Sequence, residues 1–229
     1  MVELAGRPPA DYILPDAVAA LVGDQPFEPV WLNLEGGLTL RLGDRYLKWS
    51  PTSLDAERER LQWAAAFHPV PQVIDYGIDW MLTQAIDARS AVDTDGATAA
   101  RALGTGLRAL HDALPVADCP FEWSAESRGA ARLKGTAPPI DRLVVCHGDA
   151  CVPNTLVDAA GDWAAHVDLG HLGRADRWAD LAVASMSLGW NFGDGFEAAF
   201  FEAYGIEPDD LRIRFYRDLW NAPDVKMDE

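Results

Sequence analysis

Basic residues are scarce in this chain. Nineteen lysines and arginines stand against 36 aspartates and glutamates, a formal net charge of −17. A duplex-binding protein needs a cationic footprint for phosphates, so nucleic acid is not an expected partner. An acidic surface would steer small cations, polyamines or amino sugars toward it, and it would equally serve solubility alone. Cysteine is scarce too. Cys119, Cys146 and Cys151 form no CxxC pair, and Cys146 sits in an apolar run, which argues against a disulfide framework or a zinc site. The five histidines lack the converging spacing of a metal-dependent hydrolase. No apolar run approaches the roughly 18 residues that span a bilayer. The first residues, with Glu3 early and Pro8 and Pro9 soon after, hold no signal-peptide core. The expectation is a cytoplasmic protein with no membrane partner. Internal repeats and low-complexity tracts are missing as well.

What is present is core material. Hydrophobic residues make up 49% of the 229, and nine Trp and eight Phe are among them, enough for one large domain or two small lobes. One stretch organises the rest. Residues 144–158 read as a short apolar strand, a tight polar loop and a second apolar strand. The loop gathers His147, Asp149 and Asn154, with the carboxylate and the amide five positions apart. If the loop curls back between its strands, Asp149 could accept a proton from a hydroxyl and the Asn154 oxygen could ligate a hard cation. Protein kinases use this spacing in their catalytic loop. Alone, the stretch is also compatible with a plain polar turn.

Upstream, the pattern predicts a helix over 16–23 and strands over 29–32, 38–42 and 45–49, a β-meander with a glycine loop at its first connection. Gly36 and Gly37 in that loop would let backbone N–H groups approach phosphate oxygens, or would simply form a hairpin. Lys48 alternates with Leu47 and Trp49 and so points to the opposite face. A helix over 54–68 follows, with Leu54, Leu61, Ala64 and Ala65 on its apolar stripe. Glu57 falls on that stripe. A carboxylate facing inward needs a partner, and Lys48 is the nearest candidate. Strands over 73–76 and 80–83 complete a five-stranded set. Residues 84–95 lose periodicity and mark the expected boundary between an N-lobe (1–84) and a C-lobe (85–229). Beyond it, helices are expected over 97–111, with Leu103, Leu107 and Leu110 buried, near 128–134, from within the 173–182 stretch to about Leu188, and near 196–204 and 209–219. A strand over 163–167 runs into Asp168-Leu169-Gly170.

Lys48, Glu57, Asp149 with Asn154, and Asp168 thus occur in the order that phosphoryl transfer requires: a phosphate-holding lysine, its orienting glutamate, a base, and two metal ligands. The chain here resembles the aminoglycoside phosphotransferases, and among them the 3′ and 3″ branches. His147-Gly148-Asp149-Ala150-Cys151-Val152-Pro153-Asn154 is similar to their catalytic motif down to the Cys and Pro. Residues 167–182, from Val167-Asp168-Leu169-Gly170 through Arg177-Trp178-Ala179-Asp180, are similar to their metal-binding motif and the helix after it. Further echoes are Leu110-His111, Cys119-Pro120-Phe121-Glu122, Tyr204-Gly205-Ile206 and Phe215-Tyr216-Arg217.

The resemblance implies an α+β, bilobal protein-kinase-like fold, with an antiparallel five-stranded N-lobe and a mainly helical C-lobe. It implies Asp149 as catalytic base and Asn154 and Asp168 as Mg2+ ligands. Lys48 and Glu57, with Gly36, Gly37 and the linker residues Gln84 and Ile86, would bind ATP or GTP. Asp180 and His147 would brace the loop, while the other histidines carry no partner signature. The acceptor would be a polycationic aminoglycoside, modified by a monomer or a homodimer. Two departures leave the acceptor open. The segment 123–143 is short, and Trp190, Asn191, Trp220 and Asn221 stand where acidic drug contacts are expected. Another hydroxyl metabolite is the alternative acceptor. A nucleotide-binding pseudokinase would lack at least one of the four key residues, and all are present.

Overall fold

The structure, a computed structural model, describes residues 6–9, 11–33, 35–123 and 137–221. The helix expected near 128–134 falls outside them. Two compact units divide the chain, one of residues 1–63 and 71–86, the other of residues 64–70 and 87–229.

The first unit is a five-stranded antiparallel sheet of β1 (Glu28–Leu32), β2 (Leu38–Leu42), β3 (Arg45–Trp49), β4 (Val73–Tyr76) and β5 (Trp80–Gln84). Its order is β1-β2-β3-β5-β4, so the last strand inserts beside β3 and the fourth takes the edge. Alternation along β2 and β3 puts Leu38, Leu40, Leu42 and Leu47 on one face, where α1 (Asp16–Val22) seats Val18 and Val22. Burying each of these side chains contributes about 2 kcal/mol. Helix α2 (Asp55–Ala64) stops earlier than its apolar stripe suggests. The amides of Phe67 and His68 both donate to the Ala64 carbonyl, closing a turn, and Pro69 then blocks any continuation.

The second unit is mainly helical. Helix α3 (Gly96–Ala113) starts where the Asp95 side chain accepts from the Ala97 and Thr98 amides. It buries Leu103, Leu107 and Leu110 completely. Gly104 lets it cross α5 (Glu197–Tyr204) closely, because a Cβ there would lie 2.5 Å from the Phe200 carbonyl oxygen. Two small pieces of sheet accompany the helices among the described residues. β6 (Arg89–Ser90), β8 (Thr155–Val157) and β9 (Trp163–His166) form one, and β7 (Leu143–Cys146) pairs antiparallel with β10 (Gly173–Asp176). Residues 173–176, expected to lead directly into a helix, are therefore a strand: the ladder to buried β7 overrides the poor strand propensity of Gly-Arg-Ala-Asp. Helix α4 (Trp178–Phe192) follows and is buried along most of its length, and α6 (Asp210–Trp220) closes the described chain.

Candidate active site

Strand β7 carries the chain through the buried residues Val144, Val145 and Cys146 into the loop His147-Gly148-Asp149. The loop turns back at Gly148, where φ is +82° and a Cβ would sit 2.1 Å from the His171 carbonyl oxygen. Left-handed backbone and lack of room both demand glycine there. A short 3-10 turn over Val152–Asn154 then leads into β8.

The first turn of α4 fastens this loop. Asp180, fully buried, accepts from the His147 amide (2.6 Å), the Gly148 amide (2.9 Å) and His111 Nε2 (2.9 Å). Burial alone pushes its carboxyl upward, but the His111 hydrogen bond, the His111 and His147 charges and the Gly148 amide together hold it below the usual carboxylate range. On its other ring nitrogen His111 meets the Tyr204 hydroxyl at 2.8 Å. Two turns along α4, the Ser187 hydroxyl accepts from the Val152 amide at 2.9 Å.

These clamps bring three predicted site residues together. The Asn154 amide nitrogen donates to the Asp149 carbonyl at 3.0 Å, which fixes the side chain and leaves its oxygen for another partner. The Asn154 carbonyl accepts from the Val167 amide (3.0 Å), and His147 Nε2 donates to the Val167 carbonyl (3.0 Å). The peptide preceding Asp168 is thus held to the same loop. Asp168 is the one non-glycine with positive φ (+61°) among the described residues. Such a conformation costs about 1 kcal/mol or more and persists where the surroundings enforce it, often at functional sites. Asp149, Asn154 and Asp168 are all half-buried. All three carry hard oxygen donors of the kind that suits Mg2+.

In the first unit, Lys48 Nζ bonds Glu57 Oε2 at 2.6 Å. The side chains are 18% and 8% exposed, so the inward carboxylate has the partner that its position on the α2 stripe requires. The glycine loop is tight: Asn33 accepts the Glu35 and Gly37 amides on its side chain (3.1 and 2.6 Å) and the Gly36 amide on its carbonyl (3.2 Å). In this conformation the amides of Gly36 and Gly37 serve the turn itself. At the end of β5 the Gln84 amide donates to the Gln72 carbonyl and the Ala85 amide to the Asp44 carbonyl, with half-buried Ile86 next in line.

Some partners have no signal in the sequence. His68 Nε2 lies 2.9 Å from His166 Nδ1, 98 positions away, and both rings pack against Trp163. Burial, then the nearby His147 and His111, lower His68 to about 4 and push His166 down as well. The Cys151 thiol reaches Asp149 Oδ1 at 3.0 Å.

Comparison with known proteins agrees with this geometry. The family model described as "Phosphotransferase enzyme family" matches residues 19–134 and 126–216. The streptomycin 3″-kinase of Streptomyces griseus is 35% identical, over 80% of this chain and 87% of its own length. The aminoglycoside 3′-phosphotransferase of Streptomyces fradiae is 30% identical, over 80% and 84%. Among solved structures, the aminoglycoside phosphotransferase APH(3'')-Id from Streptomyces rimosus in complex with ADP and streptomycin superposes with a TM-score of 0.69 at 30% identity, covering 90% of this chain and 98% of that one. A loop of kinase-like spacing braced by a buried aspartate, a strand lysine paired with a helix glutamate, and a family model that matches both stretches lead to one conclusion: this chain belongs to the phosphotransferase enzyme family, in the company of the aminoglycoside 3′- and 3″-phosphotransferases.

Proposed function

We propose that the protein transfers the γ-phosphoryl group of ATP or GTP to a hydroxyl of an aminoglycoside, and so confers resistance to it. The observation that carries the reading is the catalytic loop, where Asp149, Asn154 and Asp168 are gathered by bonds from His147 and Asn154 and by the Asp180 brace. In this reading Asp149 accepts the proton of the attacking hydroxyl as its oxygen bonds to the γ-phosphorus and the bond to the departing nucleoside diphosphate breaks. Asn154 and Asp168 would hold Mg2+, which when bound neutralises charge on the phosphate oxygens. Lys48, oriented by Glu57, holds the α- and β-phosphates. Gly36 and Gly37 approach the phosphates by exchanging their Asn33 bonds. Because the Gln84 and Ala85 amides are already spent, Gln84 offers its carbonyl and Ile86 its amide to the adenine edge. On this account residues 1–84 bind nucleotide and residues 85–229 carry catalysis and the acceptor. The co-substrate assignment rests on a relative whose structure contains ADP, and the acceptor on relatives named for streptomycin and aminoglycosides.

One observation favours a second acceptor class. Trp190 is 57% exposed on α4, and the Asn191 amide is committed to the Ser187 carbonyl at 2.8 Å. Neither offers a carboxylate to a drug amine, so a less cationic hydroxyl compound is the competing substrate. A phosphate-transfer panel decides between them. Purified protein with Mg-ATP and Mg-GTP is expected to phosphorylate streptomycin- or kanamycin-type drugs, and expression is expected to raise tolerance to the same drug. Turnover on another hydroxyl compound with no aminoglycoside modified would transfer the conclusion to that second class.

A further inference from the structure

The catalytic loop contains one contact that the phosphoryl-transfer reading leaves unused. The Cys151 thiol donates to Asp149 Oδ1 at 3.0 Å, while the Cys151 amide donates to the Asp149 carbonyl at 2.8 Å in a tight local turn. One side chain and its own backbone therefore grip the acid at both ends. The grip is anchored from behind. Ser187 on α4 accepts the Val152 amide at 2.9 Å and also hydrogen-bonds the Cys151 thiol. Asn191, one turn on, donates to both the carbonyl (2.8 Å) and the hydroxyl (3.3 Å) of Ser187. Asp180 and Ser187 are seven residues apart, two turns of one helix, so a single face of α4 holds both ends of the loop.

We infer that Cys151, seated by Ser187, is a positioning residue for Asp149: its thiol occupies Oδ1, fixes the carboxylate rotamer, and leaves Oδ2 to take the proton of the acceptor hydroxyl. This rests on Asp149 being the base. A carboxylate has two equivalent oxygens and a freely turning χ2, and a base must hold one oxygen on the attacking hydroxyl's line. A thiol is a weak donor, strong enough to orient the group without competing for its proton. Burial, and then the Asp149 charge beside it, push the Cys151 thiol up from its usual range, so it stays an S–H donor throughout the range in which transfer would be measured. The same features make it inert as a nucleophile.

Three substitutions of the full chain separate hydrogen bonding from packing. Steady-state kinetics with Mg-ATP and the best acceptor of the panel are expected to give about a tenfold lower kcat for Cys151→Ala, with KM for nucleotide unchanged, because only the aligned transition state loses an interaction. Cys151→Ser keeps a donor and is expected to recover to within about threefold of wild type, whereas Cys151→Val keeps the volume without the donor and stays as slow as alanine. If the alanine variant does not fold, the serine and valine variants carry the same contrast without a cavity. Valine at wild-type kcat, or serine no faster than valine, overturns the inference and leaves the thiol a packing group. Asp149→Asn is run alongside: near wild-type transfer by that variant would show that the base assignment has failed, whereas its inactivity with indifferent Cys151 variants would sink the positioning role alone.

Discussion

Lowering the pH from about 7.5 to about 5 protonates His68 in the unfolded chain but not in the folded protein. Burial, reinforced by His147 and His111, brings this histidine from 6.5 to about 4. Its ring is also committed to His166 at 2.9 Å and stacked 5.1 Å from Trp163. The unfolded state therefore binds more protons between pH 6.5 and about 4. The stability that His68 contributes is present above that window and is lost as pH falls through it. The expected loss is about 2 kcal/mol at a pH of about 5, and about 3 kcal/mol once both states are protonated. His166 is lowered in the same direction and adds to it. Asp176, whose carboxyl is raised mainly by burial, works in the opposite sense. The carboxylates held low, such as Asp112, Asp141 and Asp180, lose their contribution only as pH falls through and below 3.8, outside most of the window. Urea unfolding followed by tryptophan fluorescence measures the slope directly. The free energy should fall steadily between pH 6.5 and 5, and the fall should be shallower in His68→Gln. Stability flat across that range, or a variant with an undiminished slope, would refute the assignment of the buried neutral pair.

Four further substitutions, two in each unit, probe the candidate site residues and their supports. Gly148→Ala puts a side chain on left-handed backbone and against the His171 carbonyl, and a loss of about 2–4 kcal/mol is expected by chemical denaturation. Asp180→Asn turns one of two acceptor oxygens into a donor facing the His147 and Gly148 amides. Destabilisation of about 3 kcal/mol is expected, with kcat reduced further than stability alone explains. Lys48→Met removes the ion pair to Glu57 and, in the proposed mechanism, a phosphate contact; nucleotide affinity and kcat/KM should drop about 100-fold or more, and Glu57→Gln should show a milder version of the same loss in titration calorimetry and kinetics.

Period and punctuation made much of the fold readable. β2 alternates cleanly, with Leu38, Leu40 and Leu42 on the buried face, and Gly36-Gly37, Gly43-Asp44 and Gly77 bracket the short apolar runs, so all five strands fall within a residue of where runs and turn signals put them. Strand order is different: nothing in a period of two says that β5 inserts beside β3, because that choice depends on which edges meet. β10 escaped for a related reason, since Gly173–Asp176 has little strand propensity and is recruited by β7. In the site, the Lys48–Glu57 pairing could be argued from facing positions nine residues apart. The Asp180 brace was legible only through family resemblance. His68 with His166 and His111 with Tyr204 were not legible at all, because contacts between residues more than 90 apart leave no local pattern. The Cys151–Asp149 contact is two residues long and still escaped, because side-chain direction within an irregular loop is set by clamps from α4.

In the proposed mechanism Asp149 accepts the proton of the attacking hydroxyl. Transfer of labelled γ-phosphate to an aminoglycoside by Asp149→Asn, with nucleotide affinity measured on the same preparation, tests it most directly. The expected result is nucleotide binding within a few-fold of wild type and a transfer rate lowered by about 100-fold or more. Transfer near the wild-type rate, with binding intact, would contradict the claim.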